Sequence, residues 1–484
     1  MKNLNRVRAV SIAVAAGVLA SIADVSLAAV PTYSGFQLVA RTNFASNPGG
    51  SFNVPGSWFF SGEDIKVNDN RQVAFRLSVT SGTFQSVWFG QVTGAGPTGT
   101  GTVVYSSNPS DDAFLSRVSL NNFGRVVWEQ NFTGGVPGLY FYNHPTATSG
   151  LLTTRPFGTG SWSSPTVNDN AEVGFRSNFG TNRQAFTSWS PASPNTTIDH
   201  AVEAGLDPGS PYAFLFTPSF NNARQIAGFV RRGTAGQTGS SQPDEIRVFN
   251  TDGSSTLIAQ DRDANPASPF ASFDNSVALS NNGKVAFMAT LVAGGRGVFL
   301  FDGTSIITIA TTTAPGTQIS NLEFFAPAVN DSGLVAFRAF DTAGKRVIWV
   351  GDGTTLKRIV TAQDILPSDL GNARVDQNVV SSPVFGGGPS LNSCGDVAFN
   401  AGLTPPDNNQ IEWGTGVYVA LTAPPPCPGD INGDNAVNTA DLTVLLGNFG
   451  TSVPPGTLGD LNGDGTVNTL DLTALLGVFG TPCP

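Results

Sequence analysis

Between residues 34 and 421 the apolar residues fall in short runs in which large and small side chains alternate, each run cut by Gly, Pro, Asn or Asp. That period of two predicts β-strands rather than helices. One phrase recurs. It reads Val67-Asn68-Asp69-Asn70-Arg71-Gln72-Val73-Ala74-Phe75, and its clearest copy is Val329-Asn330-Asp331-Ser332-Gly333-Leu334-Val335-Ala336-Phe337. Other copies begin at Leu120, Val167, Phe220, Leu279 and Leu391. Taken at Asn68, Asn121, Asn168, Asn221, Ser280, Asn330 and Asn392, the spacings are 53, 47, 53, 59, 50 and 62 residues.

Each copy predicts a tight turn between two strands. The Asn side chain accepts hydrogen bonds from its own downstream backbone, and Gly three residues on takes a positive φ. Pro165, Pro218, Pro327 and Pro389 stand three residues before the repeat Asn, at the start of a strand and not in its interior. Two further strand-like runs follow the turn, such as Arg346–Val350 and Leu356–Val360. Seven units of this kind predict a mainly β fold, a seven-bladed β-propeller over residues 34–421. The seventh unit stops at Ala420 without its following strand, whereas Phe36–Thr42 near the other end is similar to Leu356–Ala362. Closure of the ring by this displaced strand is therefore expected. A chain of β-sandwich domains, the rival arrangement, leaves the displacement unexplained.

Gly and Pro, 56 and 32 in number, fit a chain of many short strands, and charged residues make up only 12%. The net charge of −10, with no basic stripe, excludes a nucleic-acid binder. Residues 1–28 read as a signal peptide: Lys2, Arg6 and Arg8 precede an apolar run from Ala9 to Ala23, and Ser26-Leu27-Ala28 supplies the small residues of a cleavage site after Ala28 or Ala29. That run is shorter than the roughly 20 residues needed to span a bilayer. A secreted protein without a membrane span is expected. The remainder then carries about −12, and half of it lies in the last 63 residues, which contain six Asp and no Lys or Arg.

Residues 422–426, Thr-Ala-Pro-Pro-Pro, form a stiff linker. Beyond it two segments thirty residues apart carry side-chain oxygens at positions 1, 3, 5, 9 and 12 of a loop. They are Asp430, Asn432, Asp434, Asn438 and Asp441, then Asp460, Asn462, Asp464, Asn468 and Asp471, with the position-7 carbonyls of Ala436 and Thr466 between them. This is the ligand order of an EF-hand loop and predicts two calcium ions. Each loop leads into a helix with apolar residues at Leu442, Leu445, Leu446 and Phe449, or at Leu472, Leu475, Leu476 and Phe479.

These duplicated loop–helix units, ending on Asp at position 12, resemble a type I dockerin over residues 427–484. They are most similar to the cysteine-bracketed members found at the ends of secreted bacterial proteins. The resemblance implies a cohesin-like partner, with Thr439, Ala440, Thr469 and Leu470 as the specificity positions. Thr469 with Leu470 departs from the hydroxyl-rich pairs of cellulosomal members, which points away from a cellulosomal partner. Cys427 and Cys483 bracket the module, and a disulfide between them is expected to add roughly 2–4 kcal/mol. Cys394 is left over as a small buried residue. The repeat region resembles secreted bacterial proteins built of tandem Asn-x-x-Gly-x-Val-Ala-Phe units, a group with no established activity.

Catalytic chemistry is thinly supplied. His144 and His200 are the two histidines, both in loop-like contexts, so a His-based triad is hard to build. A glycosidase needs two convergent carboxylates, with Glu63, Asp64, Glu129, Glu172, Glu203, Glu245, Glu323 and Glu412 as candidates. The expectation is a secreted binding or display module tethered through calcium. The alternative is a carbohydrate-active hydrolase or lyase with its site in the channel, acting on a polysaccharide. Most of the seven Trp read as core and not as sugar-stacking platforms.

Overall fold

The computed structural model describes residues 29–43, 50–56, 58–60, 65–79, 85–94, 96–107, 114–131, 137–155, 160–377, 384–422, 429–432, 436–453, 457–461 and 465–480. The expected signal peptide, residues 423–426 of the expected linker, Cys427, Cys483, Asp434, Asn462 and Asp464 lie outside the described residues; Thr422, expected as the first linker residue, instead ends the strand Gly414–Thr422.

Seven antiparallel sheets follow one another along the chain as the blades of a β-propeller, and a small two-helix module follows them. Blade four is representative. Its strands Ile226–Arg232, Asp244–Phe249 and Ser255–Gln260 form a meander, and the innermost strand runs along the first of these in two pieces, Tyr212–Leu215 and Ser219–Phe220. Pro218 sits in the break, where the missing N–H costs no ladder bond.

Both faces of each blade are buried, and this explains the Val-Ala-Phe signature. In blade five Val285 and Phe287 pack back against blade four, while Ala286 faces forward into the seam with blade six. Val335 and Phe337 likewise face back and Ala336 forward, as do Val397, Phe399 and Ala398. The hydrophobic core therefore consists of the seams between blades. Where a neighbouring ring comes closer, even the small residue is reduced: a Cβ on Gly174 would lie 2.4 Å from the Phe220 ring.

The displaced strand closes the ring as expected. Tyr33–Thr42 pairs antiparallel with Gly414–Thr422, with Phe36 opposite Ala420 and Gln37 opposite Val419. At this seam Arg71 of blade one meets the fully buried Asp396 of blade seven at 2.9 Å. Asp396 also accepts from the N–H and hydroxyl of Thr422 at 2.7 and 2.8 Å.

In the C-terminal module α1 (Thr439–Gly447) and α2 (Thr469–Gly477) start at Asn438 and Asn468, each within a capping box completed by Asp441 or Asp471. After α1 the chain pairs with the second loop (Val467 N–H to Thr451 O, 3.1 Å), and after α2 it reaches the first (Gly480 N–H to Val437 O, 2.8 Å). The two units thus brace each other around Val437, Leu445, Val467 and Leu475. Only part of the expected apolar stripe turns inward: Leu446, Phe449, Leu476 and Phe479 are exposed. Among the described residues no helix is long and apolar enough to cross a membrane.

Candidate functional site

The inner strands of all seven blades line an axial cavity of about 320 Å³. Its wall is polar and small-residue rich, with Ser164, Thr217 and Ser276 among its residues, and the charged lining residues are Lys66, Arg117, Asp69, Asp169 and Asp331.

The repeat Asn residues do two things here. Their Oδ1 atoms accept from the N–H four residues on, as expected for turn formers: Gln72 to Asn68, Arg125 to Asn121, Glu172 to Asn168, Gln225 to Asn221, Leu334 to Asn330 and Asp396 to Asn392, at 2.8–3.0 Å. Their Nδ2 atoms were not anticipated. Each donates to the backbone carbonyl of the same position one blade on, from Asn68 to Asn121, Asn121 to Asn168, Asn168 to Asn221 and Asn221 to Ser280, at 2.8–3.2 Å. Asn330 reaches Asn392 at 3.0 Å, and Asn392 returns to Asn68 at 3.1 Å. Ser280 keeps the turn bond from Lys284 N–H, but its hydroxyl donates within its own turn to Asn282 Oδ1 at 2.6 Å, and Asn282 spans that seam instead by donating to Asp331 O. The near-constant repeat interval of the phrase was the available signal, because only a ring places like positions side by side.

A second belt lies beside the first. The N–H of Asp69 donates to Asn122 Oδ1, that of Asn122 to Asp169, that of Asp169 to Asn222 and that of Asn222 to Asn281, at 2.9–3.0 Å. Ser393 N–H closes onto Asp69 at 2.7 Å. The Asn and Asp side chains of these two belts thus hold neighbouring blades together.

Among the described residues the candidate acids do not converge. Glu129 pairs with Arg155 at 2.6 Å and accepts from Trp162 N–H across a seam; Glu172 pairs with Arg224 at 3.1 Å. Glu203 accepts from Gln184 and Leu215 N–H, Glu245 binds Arg247 at 2.6 Å, and Glu323 clamps Arg338 and Arg346. Burial pushes the Glu129 and Glu203 carboxyls upward, against the pull of these donors. Glu412 is buried, Glu63 and Asp64 lie outside the described residues, and none of the described glutamates lines the channel. His144 is exposed and stacks on Phe89, whereas His200 is buried against Ser188 Oγ at 2.8 Å. Trp88, Trp128, Trp162, Trp189 and Trp349 are core residues. Cys394 is half-buried and not buried as expected, because its turn lies at the rim; its thiol is pushed up by desolvation and by Asp396 and Asp69.

In the C-terminal module the described residues of the expected ligand set gather around each helix start. Asp441 Oδ1 accepts from Ile431 and Asn432 N–H at 2.7 and 3.1 Å, and Asp471 Oδ1 from Leu461 N–H at 2.8 Å. Gly465 takes φ +81°, and its N–H reaches Asp460 Oδ2 at 2.8 Å, the sharp turn that position 6 requires. Asp441, Asp460 and Asp471 are essentially fully buried, in a segment without one Lys or Arg. No basic side chain of this segment offsets these carboxylates, whose described donors are backbone N–H groups, and an all-oxygen donor set of this kind fits calcium. Thr439, Ala440, Thr469 and Leu470 are exposed at the helix starts.

Residues 428–476 match the dockerin type I domain family, which binds calcium, so the chain ends in a type I dockerin. No curated protein matches the chain. Solved structures give distant likenesses. An oligogalacturonate lyase in complex with manganese is 10% identical, with 82% of this chain and 99% of that chain covered and a TM-score of 0.47. An oligogalacturonate lyase from Vibrio parahaemolyticus has the same identity and coverage at a TM-score of 0.44. A polysaccharide lyase is 9% identical over 80% of this chain and 97% of that chain, also at 0.44. Residues 145–405, more than half of the sequence, match the family of unknown function DUF7453, and the chain belongs to that family.

Proposed function

We propose that this is an exported protein in which the propeller is a binding and display module, tethered by the dockerin to a cohesin-type partner outside the cell. The observation that carries the reading is the pair of loop–helix units whose buried Asp441, Asp460 and Asp471 lack any basic side chain in their segment. Two calcium ions satisfy them, one per loop, held by Asp430, Asn432, Asp434, Asn438, Asp441 and the Ala436 carbonyl, and by Asp460, Asn462, Asp464, Asn468, Asp471 and the Thr466 carbonyl. Calcium supplies the cross-link that fixes each loop against its helix; the chain's own residues present Thr439, Ala440, Thr469 and Leu470 to the partner. The exposure of these four positions supports their role in docking. Outside the cell, a Cys427–Cys483 bridge ties the ends of the module together. A display role for the propeller is supported by a channel whose belt Asn and Asp side chains hold neighbouring blades together and which no described glutamate lines.

The test is binding of the full chain to immobilised cohesin domains with calcium and then with a chelator. Calcium-dependent capture that weakens at least tenfold in Leu470→Asp is expected. Capture indifferent to chelator, or no capture by any cohesin, contradicts the reading.

A further inference from the structure

Blades four, five and six carry the same Asp-Gly turn before their outermost strand, at Asp252-Gly253, Asp302-Gly303 and Asp352-Gly353. In each, the Asp carboxylate accepts from the N–H two residues on, at 2.9, 2.8 and 2.7 Å. Their surroundings differ. Asp252 is exposed and Asp302 half-exposed, but Asp352 is only 2% exposed. What covers it is the start of the described chain. Val30 is buried, its backbone N–H donates to the Asp352 carboxylate, and Lys357 Nζ donates to the Val30 and Pro31 carbonyls at 2.9 and 3.0 Å. Ala29, one residue earlier, is exposed.

The remaining donors to Asp352 are neutral: the Thr354 N–H and hydroxyl and the Thr355 N–H. Among the described residues the groups that act on it include no basic side chain. Burial pushes this carboxyl up, and the neutral donors outweigh that and hold it below its ordinary value, so the charge stays on a carboxylate with no cationic partner. The atom already directed at it is the nitrogen of Val30, the first buried residue after the small-residue stretch Ser26-Leu27-Ala28-Ala29.

We propose that the mature chain begins at Val30 and that its α-ammonium docks on Asp352 as an ion pair, so that leader removal completes the seam around the closing strand. This rests on the export reading above. Water hydrolyses the Ala29–Val30 peptide bond: its oxygen goes to the Ala29 carbonyl carbon, leaving a carboxylate, and Val30 nitrogen becomes the ammonium. Cleavage after Ala28 instead leaves the charge one residue outward, on an exposed residue, with the Val30 nitrogen still an amide.

Two measurements test this. N-terminal sequencing and intact mass of the exported protein are expected to give Val30 as the first residue; any other first residue on a processed chain overturns the assignment. Separately, chains prepared to start at Val30 or at Ala29 are melted with and without Asp352→Asn. The Val30 start is expected to melt about 2 °C higher, with the gap closing in the variant. Equal melting, or a gap that persists in Asp352→Asn, overturns the ion pair. A leader retained after export contradicts the export reading instead, and the two prepared chains still decide the pairing.

Discussion

At the scale of single residues, the repeat Asn has two jobs that substitution separates. Blade five already carries the experiment: Ser280 keeps the turn acceptor and lacks the cross-blade donor. Asn168→Ser is accordingly expected to lower the unfolding free energy by about 1 kcal/mol, and Asn168→Ala by about 2 kcal/mol or more, because Ala also orphans the buried Glu172 N–H. Urea denaturation checks the order; equal losses for the two variants contradict the double role. His200 gives a pH signature. Burial lowers its pKa to about 4 from an ordinary value of 6.5. The unfolded chain therefore binds more protons than the folded one between those values, and stability falls as pH drops from about 6.5 to about 4. His200→Gln is expected to flatten that part of a melting-temperature profile, whereas an unchanged slope assigns the loss to the carboxylates.

At the scale of elements, the strand Tyr33–Thr42 decides whether there is a ring. The seam it completes is fastened by Arg71 and Asp396, which also grips Thr422 at the end of the strand Gly414–Thr422. Asp396→Asn is expected to cost about 2 kcal/mol. That is less than the roughly 3–5 kcal/mol of a fully buried pair, since Arg71 is a quarter exposed. Hydrogen exchange is expected to quicken first in Gly414–Thr422; loss spread evenly over all blades contradicts a seam-specific role. The displaced strand was legible in the sequence because Phe36–Thr42 is similar to the outer strand of the sixth repeat. The inward and outward halves of the dockerin helices were not: Leu445 and Leu446 look alike in a helical period, and only the bracing by the opposite loop buries one and exposes the other.

At the scale of the whole molecule, the phrase Val-Ala-Phe was readable as a strand, and its seven-fold return as a propeller, since both follow from local periodicity and spacing. The two belts around the channel were not readable. They join positions about 50 residues apart, and an Asn that forms a turn looks the same as one that also bridges two blades. The acids were equally opaque: Glu129, Glu172, Glu245 and Glu323 read as candidates for catalysis and turn out to be paired with Arg in separate blades. The C-terminal dockerin was the most legible unit, because a ligand pattern for calcium fixes residue type and spacing together. It also carries the central claim, that the propeller is tethered through a calcium-built plug. Calorimetric titration of the full chain with calcium tests it most directly, beside an Asp430→Ala, Asp460→Ala double variant. Two ions bound by the parent chain and none by the variant, with helical circular dichroism lost on chelation, is the predicted result. A parent chain that binds no calcium and keeps its helices in chelator contradicts it.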